Sequence, residues 1–253
     1  MEPIVYHPHD IEWTPEKVAN IWGYYSNHLD KEDAYFSRHS GMRILDYIQS
    51  YIPLAGKLVL DFGCGRGDML KYLVAKSVEC QGLEFSKASI AVALNNVGTS
   101  PYFRGVVYAD SVPSTLPEAG FDVVILIEVV EHLFNDQLLP TFKEAHRLLR
   151  PGGFLVVTCP HAEDLSHYFV HIHCPDCGST FHRWQHMRSV TPESLTNLIN
   201  EVGFQTISCR PVDFSASRSL FFRLVNRLRF GYRRLRGKTM AQKLPHLAYI
   251  GRK

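Results

Sequence analysis

Val59-Leu60-Asp61-Phe62-Gly63-Cys64-Gly65-Arg66-Gly67-Asp68 carries the signal from which the fold follows. The first four residues read as a buried strand, and the residues after Gly67 as the start of a helix. Between them stand three glycines in five residues. Without a Cβ, such a loop turns sharply and lets a ligand approach the backbone. Its amides and the following helix N-terminus offer donors to a polar or anionic group. The spacing is Gly-x-Gly-x-Gly with an acid two residues ahead, unlike the Gly-x-Gly-x-x-Gly of dinucleotide folds.

Outward from the loop, strands and helices alternate. A helix is expected from Asp68 to Lys76 and a strand from Val78 to Phe85. Glu84 ends that strand, where a carboxylate can accept ribose hydroxyls. A third strand covers Gly105 to Ala109 and ends at Asp110, a polar position suited to an adenine amino group. Phe121 to Ile127 is, apart from Asp122, an apolar run, typical of a strand covered on both faces. A helix ending near Leu149 follows, then Pro151-Gly152-Gly153 and a strand from Phe154 to Thr158. Later strands are expected from Phe204 to about Val212 and from Leu244 to Gly251. This alternation predicts an α/β fold, a Rossmann-like and mostly parallel sheet with helices on both faces. Its ligand belongs at the carboxyl ends of the strands.

Four elements in order resemble the class I S-adenosylmethionine-dependent methyltransferases. They are the glycine loop, Glu84, Phe121 to Leu133, and the helix followed by Arg150-Pro151-Gly152-Gly153-Phe154. The likeness runs from about residue 40 to 160 and is strongest to the ubiquinone-biosynthesis O-methyltransferases. It implies seven strands with the last antiparallel, and S-adenosylmethionine as cofactor. It places cofactor contacts on Arg43, Gly63, Glu84 and Ile127; Asp61, Gly65, Phe85 and Asp110 complete the candidate set. The ubiquinone group usually carries Asp where this chain has Glu84, and either acid can bind a ribose.

Glu128, Glu131 and His132 stand at i, i+3 and i+4, which on a helix share one face. Two carboxylates and an imidazole suit a divalent cation, Mg²⁺ or Zn²⁺. The element resembles that of the small-RNA 3′-terminal 2′-O-methyltransferases, in which a later histidine completes a metal site. The matching position here is His186. Without a metal, His132 or His186 is the expected general base, since imidazole takes a proton near neutral pH.

A second cluster holds six His and three Cys between Cys159 and His186. Its centre, Cys174-Pro175-Asp176-Cys177-Gly178, has the form of a zinc knuckle, but no second Cys-x-x-Cys accompanies it. His161, His171, His173 and His182 are near enough in sequence to complete a Cys₂His₂ site. The set Cys174, Cys177, His173 and His182 is the expected zinc site. Phe181 to His186 are expected to line the acceptor pocket, within an insertion spanning 159–190.

The 253 residues are 45% hydrophobic, enough for one large α/β domain. Residues 1–56 read as a helical lid, with Thr14 capping a helix that begins at Pro15, and 57–253 as the methyltransferase domain. The first twenty residues contain no apolar run, so no signal peptide is expected and the expected location is cytoplasmic. From Phe214 onward there are 11 Lys/Arg and no Asp/Glu, against 16 and 25 in the rest. Residues 217–238 pattern as a basic amphipathic helix, suited to packing, to a peripheral membrane contact or, less well, to RNA. The function expected is O-methylation of a small or lipid-linked acceptor, of glycan or quinone type. The alternatives are RNA ribose 2′-O-methylation and a non-catalytic module that binds S-adenosylmethionine or zinc.

Overall fold

The computed structural model describes residues 7–28, 35–214 and 244–253. The basic helix expected at 217–238 lies outside them. Seven strands form the main sheet: β2 (Leu58–Phe62), β3 (Glu79–Glu84), β4 (Phe103–Tyr108), β5 (Phe121–Ile127), β6 (Leu149–Pro160), β9 (Gln205–Val212) and β10 (His246–Arg252). Their order is β4-β3-β2-β5-β6-β10-β9. Among these strands only β10 runs antiparallel to its neighbours, pairing with β6 and β9. The expected Rossmann-like sheet with an antiparallel last strand is therefore present.

The order reverses between β2 and β5, so a crevice opens above their carboxyl ends. The glycine loop leaves β2 at that crevice and leads into α3 (Asp68–Ala75). The helices α2 (Phe36–Gln49), α4 (Lys87–Val97), α5 (Asn135–Leu148) and α6 (Pro192–Asn200) complete the layers. One apolar core joins Ile44, Leu45 and Ile48 of α2 to one face of the sheet. The other joins Phe142, Ala145 and Leu148 of α5, with Leu195 and Ile199 of α6, to the opposite face. The β5 residues Val123 to Ile127 are buried, which is why the strand is apolar from Val123 on; Asp122, near its start, is partly exposed and bonds Leu58 N and Arg150.

Over the crevice lies α1 (Pro15–Asn27), capped by the Thr14 hydroxyl, which accepts from Lys17 N. Ser26 ties it to α4 through a 2.7 Å hydrogen bond to Ser89. The insertion after β6 forms a small separate sheet. A hairpin of β7 (His171–His173) and β8 (Ser179–His182) is extended by β1 (His9–Asp10), parallel to β8. None of the described helices is long and apolar enough to cross a membrane.

One expected element is corrected. Glu128, Glu131 and His132 do not share a helical face, because α5 begins only at Asn135. Glu128 takes a left-handed φ of 54°, and the chain turns through residues 129–133 before the helix starts. A residue in that conformation cannot itself lie within a right-handed helix, so Glu128 is not on a helical face with Glu131 and His132.

Candidate cofactor and acceptor site

The glycine loop is built as its composition demands. Gly63, Gly65 and Gly67 all have positive φ, at 81°, 51° and 77°. The loop is pinned by Gly63 N to Leu83 O and Gly67 N to Cys64 O, both 2.8 Å. A Cβ on Gly63 would stand 2.8 Å from Val129 Cγ2, so the loop lies directly against the turn after β5. A Cβ on Gly65 would meet the Tyr35 ring at 3.1 Å. Tyr35 is buried, which pushes its phenol up to about 12, and its hydroxyl bonds Ser26 of α1 at 2.6 Å.

Glu84 closes the far side. Its Oε2 accepts from Gly65 N at 2.8 Å, and its Oε1 from Phe85 N at 3.0 Å and Ser86 N at 2.8 Å. Burial raises its carboxyl, and these three donors pull it back. A carboxylate offers about four acceptor sites, so about one remains for a ligand hydroxyl. Asp61 lies buried behind the loop, its carboxyl raised to about 8 by burial and then by the charges of Glu84 and Asp68.

A cavity of about 740 Å³ runs from this cradle to a second group of side chains. At the cradle end it is lined by Gly63, Gly65, Glu84, Phe85, Asp110 and Ile127, and at the other by Glu128, Glu131, His132, Glu163, Trp184 and His186. Trp22, Tyr35 and Phe36 also line it. Trp22 Nε1 donates to Gln185 Oε1 at 3.0 Å, and Tyr25 OH to Arg183 O at 2.8 Å, so α1 is tied to the insertion.

At the second end, Glu128 is held by Thr158 Oγ1 at 2.8 Å, and burial raises its carboxyl to about 7. Glu131 is raised further, by burial and by Glu128. Both its oxygens are buried without a hydrogen-bond partner among the described residues. His132 Nδ1 faces the Gln185 carbonyl at 3.4 Å, and its Nε2 lies 3.8 Å from Glu131 Oε1. Burial, aided by His186, lowers His132 to about 3. His186 Nδ1 bonds Glu163 Oε2 at 2.5 Å, and His182 Nε2 lies 3.5 Å from Glu163 Oε1. Burial works against the Glu163 charge, but the neighbouring His182 and the bonded His186 overcome it and hold the carboxyl down at about 2.

A methyltransferase-domain family matches residues 34–209. The chain belongs to that family. It is a class I S-adenosylmethionine-dependent methyltransferase by fold and motif. Among curated proteins it is similar to the ubiquinone biosynthesis O-methyltransferase of Pseudomonas syringae, at 31% identity over 143 residues, 54% of this chain and 57% of that one. It is also similar to the 27-O-demethylrifamycin SV methyltransferase of Amycolatopsis mediterranei, at 31% over 155 residues, 56% of each chain. The chain therefore spans a little over half the length of these relatives. Its fold matches the Burkholderia thailandensis 1,6-didemethyltoxoflavin-N1-methyltransferase with a TM-score of 0.64 and 17% identity, covering 97% of this chain and 93% of that one.

Within this methyltransferase the candidate residues divide into three groups. Gly63, Gly65, Glu84, Phe85, Asp110 and Ile127 line the cavity together. Asp61 and Arg43 are absent from the lining. Asp61 is buried near the end of β2, and Arg43 Nη1 donates to the Phe214 carbonyl. Of the four expected divalent-metal ligands, Glu131, His132 and His186 bring one ligating atom each to within 4.8 Å of one another. Glu128 is outside that group and pairs with Thr158.

The expected zinc set does not assemble among the described residues. The knuckle turn itself forms, with Gly178 N to Cys174 O at 3.0 Å and Cys174 N to Ser179 O at 2.8 Å. The Cys177 thiol is drawn down to about 7, mainly by hydrogen bonds with Ser179 and then with Cys174. His173, however, bonds Thr180 Oγ1 at 2.7 Å, and His182 faces Glu163. In the hairpin register His173 pairs with Thr180 beside the turn while His182 pairs with His171 at the far end, so the two histidines stand apart. Of the expected acceptor stretch Phe181 to His186, Trp184 and His186 line the cavity while Gln185 stands behind it, bonded to Trp22, and Glu163 is the site residue that sequence reasoning missed. Glu163 had a visible signal, a carboxylate inside a histidine-rich insertion.

Proposed function

We propose that this methyltransferase moves the methyl group of S-adenosylmethionine to a hydroxyl oxygen of a small or lipid-linked acceptor of glycan or quinone type. The observation that carries the reading is the continuity of one cavity from Glu84 and the glycine loop to the His186–Glu163 pair. The cradle fits the cofactor. A Cβ at Gly63 or Gly65 would meet Val129 or Tyr35, and Glu84 keeps acceptor capacity beside the loop amides. When bound there, S-adenosylmethionine supplies an electrophilic methyl carbon.

The protein's part is placement and proton removal. Trp22, Tyr35 and Phe36 give the cavity an aromatic wall. His186 takes the acceptor proton. His132 is ill suited to that task, because burial holds its basicity near 3. The described lining contains no Lys or Arg, while Glu128, Glu131, Asp136 and Glu163 all belong to it. Such a lining opposes a polyanion, which favours an uncharged acceptor over RNA. Cytoplasmic placement with a membrane-peripheral contact is part of this reading, on the strength of the basic sequence at 217–238.

A second reading is favoured by the orphaned oxygens of Glu131: a divalent cation held by Glu131, His132 and His186. Two imidazoles and a carboxylate suit Zn²⁺ better than Mg²⁺. Calorimetry with S-adenosylhomocysteine, followed by a cofactor-consumption screen over catechols, quinone precursors, glycans and short RNAs, tests both. Hydroxylated small acceptors turned over after exhaustive chelation support the first reading. Activity lost on chelation and regained with Zn²⁺ supports the second. Failure to bind S-adenosylhomocysteine removes both, and turnover of RNA alone removes the acceptor assignment.

A further inference from the structure

We infer that Glu163 is the positioning residue for His186, and that His182 in turn holds Glu163, so the insertion's histidines serve the transfer step as an orienting chain. This rests on the O-methyltransferase reading above, and it adds a residue that the family motifs do not supply.

The geometry fixes the protons. His182 is buried, and its Nδ1 accepts from two backbone amides, Trp184 N at 3.3 Å and His186 N at 3.2 Å. An amide can only donate, so Nδ1 carries no proton and the ring hydrogen of neutral His182 sits on Nε2. That nitrogen is buried without a hydrogen-bond partner among the described residues. It faces Glu163 Oε1 across 3.5 Å, so it acts on Glu163 as a nearby donor rather than through a formed bond. The other oxygen of Glu163 receives His186 Nδ1 at 2.5 Å. A carboxylate opposite Nδ1 selects the Nδ1–H tautomer of His186, which leaves the Nε2 lone pair as its basic site. His186 and Glu163 both line the cavity.

The short contact also bears on a rival arrangement. Glu163, His182 and His186 lie close enough together to suggest a metal among them. Two ligands on one Zn²⁺, with bonds of about 2.0–2.1 Å and tetrahedral angles, stand roughly 3.4 Å apart. Glu163 Oε2 and His186 Nδ1 stand 2.5 Å apart, closer than two ligands of one ion, as a direct hydrogen bond would have them. In the reaction, the acceptor oxygen forms its bond to the methyl carbon as the carbon–sulfur bond breaks. The acceptor's hydroxyl proton passes to His186 Nε2. The resulting imidazolium is stabilised by Glu163 until the proton leaves to water with the product.

The first test reads the tautomer and needs no acceptor. Long-range ¹H–¹⁵N spectra of the full chain, with His186 assigned through His186→Asn, should show an Nδ1–H ring. The same ring should change tautomer in Glu163→Ala. An Nε2–H ring in the wild type, or an unchanged one in Glu163→Ala, overturns the inference whatever the protein methylates. The second test uses the best acceptor from the screen. Glu163→Gln should keep S-adenosylhomocysteine affinity and acceptor KM within about threefold while kcat falls by about 10²-fold or more. Glu163→Asp should recover part of that loss. A kcat within threefold of wild type in Glu163→Gln overturns the inference. So does a loss of kcat matched by equal losses of S-adenosylhomocysteine affinity and melting temperature, which marks a structural role. If the wild type binds no S-adenosylhomocysteine, the function reading fails while the tautomer result still stands by itself.

Discussion

Replacing Gly63 with alanine tests the site at its narrowest point. Two separate costs are expected. The first is conformational: at φ 81° an L-residue loses roughly 1–2 kcal/mol relative to glycine. The second is steric, because the new Cβ would lie 2.8 Å from Val129 Cγ2. Overpacking of this kind costs roughly 1–3 kcal/mol. Gly56 separates the two, since it has a similar φ of 70° but a methyl added there would meet nothing within 4 Å. Gly56→Ala should therefore show the first cost alone. With about 2–4 °C of melting temperature per kcal/mol at this chain length, Gly63→Ala should melt roughly 4–20 °C lower than wild type, and Gly56→Ala roughly 2–8 °C lower. Val129→Ala in the Gly63→Ala background should return most of the steric part, a coupling that a double-mutant cycle reads directly. Calorimetry should add a tenfold or greater loss of S-adenosylhomocysteine affinity for Gly63→Ala and none for Gly56→Ala, which lies outside the cavity. Equal melting shifts for the two variants, with equal affinity, would refute the packing of the glycine loop against the β5 turn.

Asp61 and Arg43, the two cofactor candidates that stand outside the cavity, can be tested separately. Asp61 has its folded pKa raised to about 8, above an unfolded value of about 3.9. Its contribution is fully present below the unfolded value and is lost as pH rises through about 8. Wild type should therefore melt lower at pH 8 than at pH 5, and Asp61→Asn should flatten that slope; parallel slopes would refute the burial argument. Arg43→Ala should leave S-adenosylhomocysteine affinity within about twofold, because the guanidinium donates to the Phe214 carbonyl and not into the cavity. A tenfold loss in calorimetry would return Arg43 to the cofactor site.

Where the signals are local, the amino-acid sequence was enough. The glycine loop was legible because a turn with three positive-φ residues tolerates little but glycine. Glu84 was legible because a strand end fixes where its carboxylate stands, and β5 because a strand covered on both faces is apolar along its buried run, Val123 to Ile127. Glu128 to His132 were misread because helical spacing in sequence does not reveal a left-handed residue that delays the helix to Asn135. The acceptor end has no such local signature. Glu163 and His186 are far apart in sequence and meet only because the insertion folds back over the end of β6, and Trp22 reaches Gln185 only because α1 crosses the crevice. Their pairing depends on the closure of long loops, whose cost grows slowly with length and leaves no periodic mark in the chain. Local composition thus wrote the glycine-loop cradle into the sequence, while the residues proposed to meet the acceptor were chosen by which loops the finished fold brings together.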